Sequence, residues 1–483
     1  MKANSKLASA ATIVALACSA VTVLAATNAT EYAAGPPGPP ADKPLPEAVA
    51  KTPEETHEQS WNWHVQSTVV VQGYPAFPAQ YSGPNSLPTG GETRETVSLD
   101  LMAGVRLWHG AEAHIDGLMW QGFGLNNTLG LEAVPNGEAY RLGTAVPNGI
   151  FARLFIRQTI GLGGEQEDVP DGQLTLAGKQ DVSRLTFTLG RMSVADIFDQ
   201  NTYANAPRTQ FMNWGLVNNE AWDYGADAVG YDTGLAVELN QPKWTLRYGF
   251  FQVPKIANNL TGDDAYLKWP YDSAAGYEPI LMGWAMVAEL ERRYTINNHP
   301  GAIRFLAYLN RADMYTYQGA TALLQANGAA ADLTAASAYR LKYGFGLNWE
   351  QEIAKNVGVF SRLGWNDGQT QGWMFTDVDY TGTLGLSVKG ESWHRPGDTF
   401  GLAGVLNGIS HAAQEFFQAG GIGIEAGDGN LNYGWERALE VYYDFQIWKD
   451  LHGALDYQFI SNPAFNRDRG PVSVLGARVH WSF

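Results

Sequence analysis

The C-terminal residues 472–483 alternate between apolar and polar positions. Leu475 and Val479 share one face of this segment, and Arg478 and His480 share the other. Because successive side chains of a β-strand point to opposite faces, the segment predicts a strand between an apolar and a polar environment. Alternating segments of about ten residues are typical of transmembrane β-barrels, in which one face meets lipid and the other meets water. An edge strand of a soluble β-sandwich would show the same alternation here.

The same alternation recurs along most of the chain. It predicts roughly sixteen strands, near residues 60–72, 94–108, 111–122, 150–161, 182–192, 228–240, 243–253, 281–294, 301–312, 340–351, 355–366, 380–389, 399–407, 434–447, 452–461 and 472–483. An even strand number is the rule in single-chain bacterial barrels. Beyond the N-terminal segment no apolar run of about 18 residues occurs, so a membrane crossing has to use strands. We therefore expect an all-β fold, a transmembrane antiparallel β-barrel.

Short and long connections alternate between the predicted strands. The short ones lie near residues 109–110, 240–242, 297–300, 352–354 and 448–450, and the long ones near 73–93, 123–149, 193–227, 254–280, 313–338 and 408–433. Outer-membrane barrels have short periplasmic turns and long extracellular loops, so both termini are expected on the periplasmic side. The connection formed by residues 162–181 is long, yet it falls on the periplasmic side. This indicates either a folded turn or a local error in the strand count.

The N-terminus predicts export from the cytoplasm. Lys2 and Lys6 precede an apolar stretch that ends in small residues at Ala25, which predicts a signal peptide over residues 1–25. The alternative is a lipidated N-terminus at Cys18, the one cysteine of the chain. Cleavage removes two lysines and no acid, so the formal net charge changes from −17 to −19. The mature chain then lacks cysteine, which excludes disulfides and thiolate metal sites.

The chain is expected to divide into three parts. After the signal peptide, residues 26–59 are rich in proline and predict an extended periplasmic linker. Residues 60–483 then form the transmembrane barrel domain.

Arginines recur on the polar face of the predicted strands. Arg247, for example, lies between Leu246 and Tyr248. A charged side chain on the lipid face costs about 2–4 kcal/mol at mid-bilayer, so such an arginine should point into the lumen. Acids with the same phase are Glu112, Asp116, Glu440, Asp444 and Asp456. A lumen with both signs would offer donors and acceptors to polar solutes. Alternatively, these arginines pair with the acids and brace the wall.

The long connection 193–227 is rich in aromatic and amide side chains, including Phe198, Tyr203, Trp214 and Trp222. Folding into the lumen would bury them and narrow the pore. Flat aromatic faces beside amides and carboxylates suit the apolar face and hydroxyl rim of a sugar. The alternative is a cap that packs on itself or on a neighbouring subunit. The predicted constriction and solute-binding residues are Arg106, Arg153, Arg184, Arg247, Asp196, Asp199, Tyr203 and Trp214.

Enzymatic motifs are poorly represented. The sequence has no Gly-x-Ser-x-Gly, and Ser410 and His411 are adjacent, which is not a catalytic triad arrangement. Acids in residues 165–168 could bind a hard cation, although such clusters are more typical of solvated turns. The strong negative charge argues against a nucleic-acid partner. We expect no enzyme activity, no cofactor and no resident metal.

Several segments resemble the carbohydrate-selective outer-membrane porins, the OprB-type family. They are residues 83–88, 177–181, 189–191, 196–199, 213–214, 365–368, 395–398, 407–408, 462–463 and 469–471. The resemblance runs from about residue 60 to the end. It implies a sixteen-stranded, monomeric or weakly associated channel in the outer membrane of a Gram-negative bacterium that passes sugars by facilitated diffusion. The aromatic C-terminal residue, Phe483, is similar to that of outer-membrane barrels and implies recognition by the β-barrel assembly machinery, with outer-membrane lipid around the barrel.

The resemblance leaves other solutes open. Residues 163–167 and 196–199 resemble a branch of the family in which some members are associated with manganese uptake. Acidic external loops would raise the local concentration of divalent cations, whereas inward arginines would oppose their passage. A polysaccharide export channel ranks third, since a long-chain conduit would need a continuous lining of one sign. Sugar passage therefore ranks first and divalent-cation passage second.

Overall fold

The computed structural model describes residues 58–139, 143–257 and 276–483. The predicted signal peptide and nearly all of the predicted linker lie outside the described residues. Sixteen antiparallel strands form a closed barrel, and two further strands form a separate two-stranded sheet.

The strands are β1 (Trp61–Tyr74), β2 (Glu92–Trp108), β3 (Ala111–Gly122), β4 (Thr144–Gly161), β5 (Gln166–Val169), β6 (Gly178–Asp181), β7 (Arg184–Met192), β8 (Asp232–Gln241), β9 (Trp244–Phe251), β10 (Trp284–Ile296), β11 (His299–Tyr315), β12 (Ser337–Ala354), β13 (Val357–Asn366), β14 (Tyr380–Lys389), β15 (Thr399–Gly408), β16 (Glu436–Trp448), β17 (Leu451–Ser461) and β18 (Val472–Ser482). The α-helices are α1 (Trp214–Val217), α2 (Tyr317–Asn327) and α3 (His411–Gln418). Each barrel strand has its counterpart among the predicted strands, so the predicted sixteen-stranded antiparallel fold is confirmed.

The barrel closes where the first strand meets the last. In the β1–β18 pair, Gln66 lies opposite Ser482 and Gly73 lies opposite Leu475. The backbone N–H of Phe483 donates to the carbonyl of Val65 at 2.8 Å, so the pairing continues to the C-terminal residue. Closure leaves no unpaired barrel edge, which would otherwise expose backbone N–H and C=O groups.

The outward face of the barrel is apolar in its middle and aromatic at its ends. Exposed outward side chains near mid-strand include Leu101, Leu246, Leu290, Leu384 and Leu455. Exposed aromatic residues at the short-turn end are Trp61, Trp63, Trp108, Trp448 and Phe483. An apolar band flanked by aromatic girdles is the surface that a transmembrane barrel presents to lipid. Among the described helices, none combines the length and the apolar character that crossing a membrane requires.

The connection between β7 and β8, residues 193–231, lies inside the barrel, and we call it the inner loop. Phe198, Phe211 and Leu216 within it are fully buried. They belong to hydrophobic clusters that also contain inward-facing residues of the wall, such as Phe251 and Phe360. The inner loop therefore fills much of the lumen instead of capping it from outside.

The long connection on the short-turn side is a folded turn. Strands β5 and β6 pair as a hairpin, and its tip reaches the inward face of β1. The side-chain amide of Asn62 donates to Asp171 Oδ1 at 2.7 Å, and that of Gln173 donates to Gln66 Oε1 at 2.9 Å. This hairpin accounts for the exceptional length of residues 162–181, and the predicted strand count needs no correction.

A pair of strand glycines tests the packing of the inner loop. A Cβ at Gly364, on the inward face of β13, would lie 2.0 Å from Asn219 Oδ1 of the inner loop, whereas one at the outward Gly382 of β14 would meet only Leu363 at 3.5 Å. We expect Gly364→Val to cost about 1–3 kcal/mol of stability through overpacking. The matched Gly382→Val variant should behave like the wild type. For each variant, samples are heated to increasing temperatures, and a gel shows at which temperature the folded band disappears. An equal drop in this temperature for the two variants would contradict the proposed packing.

Candidate pore constriction and vestibule

Carboxylates of the barrel wall hold the backbone of the inner loop. The Glu440 carboxylate, on β16, accepts the N–H groups of Met212 and Asn213 at 2.6 and 2.9 Å. On the other side of the lumen, Glu289 of β10 accepts the N–H of Asp199 at 2.7 Å. A carboxyl oxygen has lone pairs free to accept hydrogen bonds from backbone N–H groups. These wall acids therefore satisfy loop donors that would otherwise be buried without partners.

Arg362 of β13 is fully buried and binds oxygen atoms of the inner loop, as the wall acids bind its N–H groups. Its guanidinium donates to Asp199 Oδ2 at 2.8 Å and to the carbonyls of Asp199 and Leu216, both at 3.0 Å. The side-chain amide of Asn348 also donates to Asp199 Oδ1, at 2.7 Å. Asp199, predicted from sequence as a solute-binding residue, lies where it fastens the inner loop to β12 and β13.

A second network of ion pairs runs along β8 to β12. Arg247 contacts Glu238, Glu289 and Glu291, at 3.0, 2.7 and 3.1 Å. Arg304 continues the network to Glu291 at 2.9 Å. Arg247 is almost completely buried, so it occupies the wall-bracing position that the sequence left as the alternative for such arginines.

The inner loop leaves partly exposed charges where it faces β2, β3 and β4. Arg153 of β4 makes a two-point ion pair with Asp196, at the start of the loop, with both N–O distances 2.7 Å. Its remaining amino group contacts Asp116 of β3 at 2.7 Å. The guanidinium also lies over the Tyr231 ring, 5.1 Å from its centroid, in a cation–π arrangement. The predicted residues Arg153 and Asp196 are thus brought together.

A second arginine reaches this region from the inner loop. Arg208 pairs with Asp100 of β2, and its Nε lies 2.8 Å from Glu138 Oε2. We call the six groups together the constriction cluster: Asp100, Asp116, Glu138, Arg153, Asp196 and Arg208. The side chains of Arg153, Asp196 and Arg208 are 15%, 23% and 13% exposed, so part of each is open to solvent.

Two other predicted arginines lie at the short-turn mouth of the barrel. Arg106 donates to the carbonyl of Gln59 at 2.9 Å, and Arg184 pairs with Glu167 of the β5–β6 hairpin at 2.8 Å. Neither joins the constriction cluster. At the tip of the hairpin, burial by itself would raise the pKa of Asp171, but hydrogen bonds from His64 and Asn62 hold that pKa below its ordinary value.

The remaining predicted aromatic residues lie on opposite faces of the inner loop. Tyr203 packs against β13, where a Cβ at Gly358 would lie 2.0 Å from its ring. Trp214 opens α1 on the long-loop side, and its backbone N–H donates to the carbonyl of Val134 at 2.8 Å. The Trp214 ring is partly exposed and lies 5.9 Å from that of Phe375, centroid to centroid.

A cavity opens on the long-loop side beside Trp214, and we call it the vestibule. Its volume is about 70 Å³, counted as the space that the centre of a water molecule can occupy. It is lined by Thr128, Val134, Asn136, Gly137, Ala139, Trp214, Ala228, Val229, Gly230, Phe375, Thr376 and Glu425. Gly137 and Ala139 flank Glu138 of the constriction cluster, and Gly230 precedes Tyr231. The vestibule therefore borders the constriction cluster.

Sequence reasoning did not select Asp100, Asp116, Glu138 and Arg208 as constriction residues. Strand phase does place Asp100 and Asp116 on the inward face. Glu138 and Arg208 lie in irregular loops, where no periodicity reports direction. Within residues 58–139, 143–257 and 276–483, no three or more His, Cys, Asp or Glu side chains are grouped so that they could hold a metal ion.

A closed antiparallel barrel with an apolar belt and a loop folded into its lumen is the architecture of a channel-forming porin. The sequence matches the model of the carbohydrate-selective porin, OprB family, over residues 84–483. The chain therefore belongs to the OprB family, as the sequence resemblance indicated. Its homologues are outer-membrane proteins.

The structure is similar to solved porins. The high-pH structure of Pseudomonas putida OprB matches with a TM-score of 0.66 and 18% identity, covering 88% of this chain and 94% of that chain. The low-pH structure of the same protein gives 0.46 and 14%, covering 88% and 93%. The channel DcaP of Acinetobacter baumannii gives 0.43 and 10%, covering 88% and 97%. No protein with a curated description matches the sequence. The first of these likenesses supports the shared fold.

Removal of the Arg362 guanidinium tests how the inner loop is held. Arg362→Ala leaves the Asp199 carboxylate and the Leu216 carbonyl without their buried donor, and breaking a buried pair costs about 3–5 kcal/mol. We expect a looser inner loop, seen as larger and noisier single-channel conductance in planar bilayers. Arg292→Ala, at an exposed position of β10, is the control and should conduct like the wild type. Unchanged conductance in a folded Arg362→Ala protein would contradict this role.

Proposed function

We propose that this porin passes small carbohydrates passively across the outer membrane of a Gram-negative bacterium into the periplasm. The observation that carries the proposal is the constriction cluster, in which Arg153, Arg208 and Asp196 are partly exposed and Glu138 lies between two residues that line the vestibule with Trp214 and Phe375. A sugar presents hydroxyl groups, which both donate and accept hydrogen bonds, and an apolar ring face. Arginine supplies fixed donors, carboxylates supply acceptors, and aromatic rings supply flat apolar surface.

Passage would require no energy source. A solute enters from the long-loop side, which in porins of this plan faces outward from the cell. It exchanges water for weak contacts with the constriction cluster and leaves past the β5–β6 hairpin down its concentration gradient. Each contact has to be weak enough for release, because a tightly held solute would block the channel.

Divalent-cation passage is the second candidate. The constriction cluster has two arginines and four carboxylates, which leaves a formal net charge of −2. Negative charge would concentrate cations at this point. The two arginines oppose the passage of cations, because both are partly exposed and both hold carboxylates in ion pairs. The acids are therefore engaged in pairs and loop contacts, which favours neutral polar solutes.

The proposal also implies which lipid and which proteins the barrel meets. We expect outer-membrane lipid around the apolar belt and recognition of Phe483 by the β-barrel assembly machinery during insertion. No nucleic-acid partner is expected.

Swelling of protein-containing liposomes tests the proposed solute. In isotonic glucose or another neutral hexose, we expect faster swelling than in protein-free liposomes, together with weak ion preference in reversal-potential measurements. Slow sugar entry with strong divalent-cation preference would favour the second candidate. Absence of permeation by either solute would exclude the channel function.

Charge changes in the constriction cluster should shift ion selectivity in opposite directions. Arg208→Gln makes the formal net charge of the cluster more negative by one and should increase cation preference; Glu138→Gln makes it less negative by one and should decrease that preference. Reversal potentials across a KCl gradient measure both, with the exposed Arg292→Gln as the control. Shifts of the same sign, or no shift, would show that these groups do not lie on the ion path.

A further inference from the structure

We propose that the β5–β6 hairpin is a gate at the short-turn mouth of the barrel, which swings away from β1 to let solute leave the lumen. This inference rests on the proposed passage of solute through the channel and extends it, because it assigns a moving part to the exit. Three features of the hairpin support it: the place of its tip, the way it is attached and the kind of contacts that hold it.

The tip of the hairpin lies below the constriction cluster. Arg153 of the cluster and Arg157 both face inward on β4, and Arg157 is the one nearer the short-turn end. The guanidinium of Arg157 donates to the carbonyl of Leu174, at the hairpin tip, at 2.9 Å. Along the wall this contact lies roughly 13 Å below Arg153, at about 3.3 Å per strand residue. A solute that leaves the cluster along β4 therefore meets the hairpin.

The tip also covers the inward face of β1, three strands further round the barrel. Besides its bond to the hairpin acid, the Asn62 amide donates to the carbonyls of Gly172 and Thr175, at 3.0 and 2.8 Å. Asn62 and Gln66 face the lumen, yet they are only 6% and 7% exposed. The hairpin therefore spans the mouth from its root at β4 and β7 to the first strand.

A two-glycine break in the strand pairing attaches the hairpin to the barrel. On the barrel side of the break, the N–H of Leu162 donates to the carbonyl of Ser183 at 2.9 Å; on the hairpin side, the N–H of Val182 donates to that of Glu165 at 2.8 Å. Residues 163–164, both glycine, lie between these bonds with φ of 82° and 100°. A Cβ at either would meet nothing within 4 Å. Glycine in open space adopts many backbone conformations, so this point can act as a hinge.

Polar contacts hold the tip closed. His64 of β1 has one ring nitrogen 3.2 Å from Asp171 Oδ1 and the other 3.1 Å from the carbonyl oxygen of Phe483, so the tip is joined to the strand pair that closes the barrel. We call the five side chains that join the tip to β1 the latch: Asn62, His64, Gln66, Asp171 and Gln173.

The hairpin tip buries much less apolar surface than the inner loop does. Within residues 170–176, only Leu176 is buried, whereas the inner loop contributes to two large hydrophobic clusters. Segments with few buried apolar contacts open locally at a small fraction of the global unfolding free energy. The hairpin can therefore leave the mouth while the barrel and the inner loop stay folded.

Cross-linking the latch tests whether the hairpin has to move. The one cysteine, Cys18, lies in the predicted signal peptide, so introduced thiols would react alone. Asn62→Cys with Asp171→Cys replaces side chains that touch at 2.7 Å, and a short thiol-specific cross-linker that dithiothreitol removes would join them. We expect ion conductance in planar bilayers to fall several-fold on cross-linking and to return on reduction. Gln66→Cys with Gln173→Cys is a second lock if the first variant does not fold.

A cross-link inside the hairpin is the matched control. Glu167 and Gln180 lie opposite each other on β5 and β6. Glu167→Cys with Gln180→Cys therefore joins the two strands without fixing the hairpin to the wall, and cross-linking should leave the conductance unchanged. Each variant is compared with its own reduced form, so that the effects of the substitutions themselves cancel.

Weakening the latch should have the opposite effect. Asp171→Ala with Gln173→Ala removes two of the latch side chains and should shift the equilibrium between closed and open hairpin roughly five- to 150-fold toward open. Single-channel recordings would show shorter closed periods. Glu165→Ala with Gln166→Ala removes the same charge at the other end of the hairpin and should gate like the wild type.

The outcomes separate the gate from the channel function. If the wild-type protein conducts no ions and passes no sugar, the proposed function fails. If it conducts, and the locked proteins conduct equally before and after reduction, the gate alone is overturned. Closed periods of equal length in the weakened-latch variant and its control would overturn the role of the latch.

Discussion

The structure depends on hydrogen bonds between carboxylates of the barrel wall and backbone N–H groups of the inner loop. A sixteen-stranded barrel is too wide for its own side chains to fill, so the lumen has to take in additional chain. That chain brings backbone donors into a region with little water, where an unpaired N–H is costly. Glu289 and Glu440, on opposite sides of the lumen, accept these donors, and Arg362 satisfies the loop's oxygen atoms.

This anchoring holds the inner loop to several parts of the wall. The loop is bound by Glu289 of β10, Arg362 of β13 and Glu440 of β16. Ion pairs also join it to Arg153 of β4 and Asp100 of β2. Charged residues therefore have two roles that look identical in sequence. Arg247 and Arg362 are buried braces, whereas the side chains of Arg153 and Arg208 are partly exposed. The position of an arginine along its strand and the path of the inner loop distinguish the two groups. The alternation of inward and outward side chains does not.

Different segments of the chain occupy the two ends of the lumen. On the short-turn side, the β5–β6 hairpin places Asp171 and Gln173 against β1 and occupies Arg106 and Arg184 with structural contacts. On the other side, four long connections meet to form the vestibule beside Trp214.

The sequence by itself determined the barrel, its strand count and the alternation of inward and outward side chains. These follow from local period-two patterning, since a charge facing lipid is penalised at every strand independently. It also indicated the aromatic content of residues 193–227. Only the tertiary structure decided that Asp199 fastens the loop, that Arg106 and Arg184 lie at the mouth, and that Glu138 and Arg208 meet Asp100. Those contacts join residues far apart in the chain through an irregular loop, whose course has no repeating pattern and is set by the hydrogen bonds that the surrounding wall offers it.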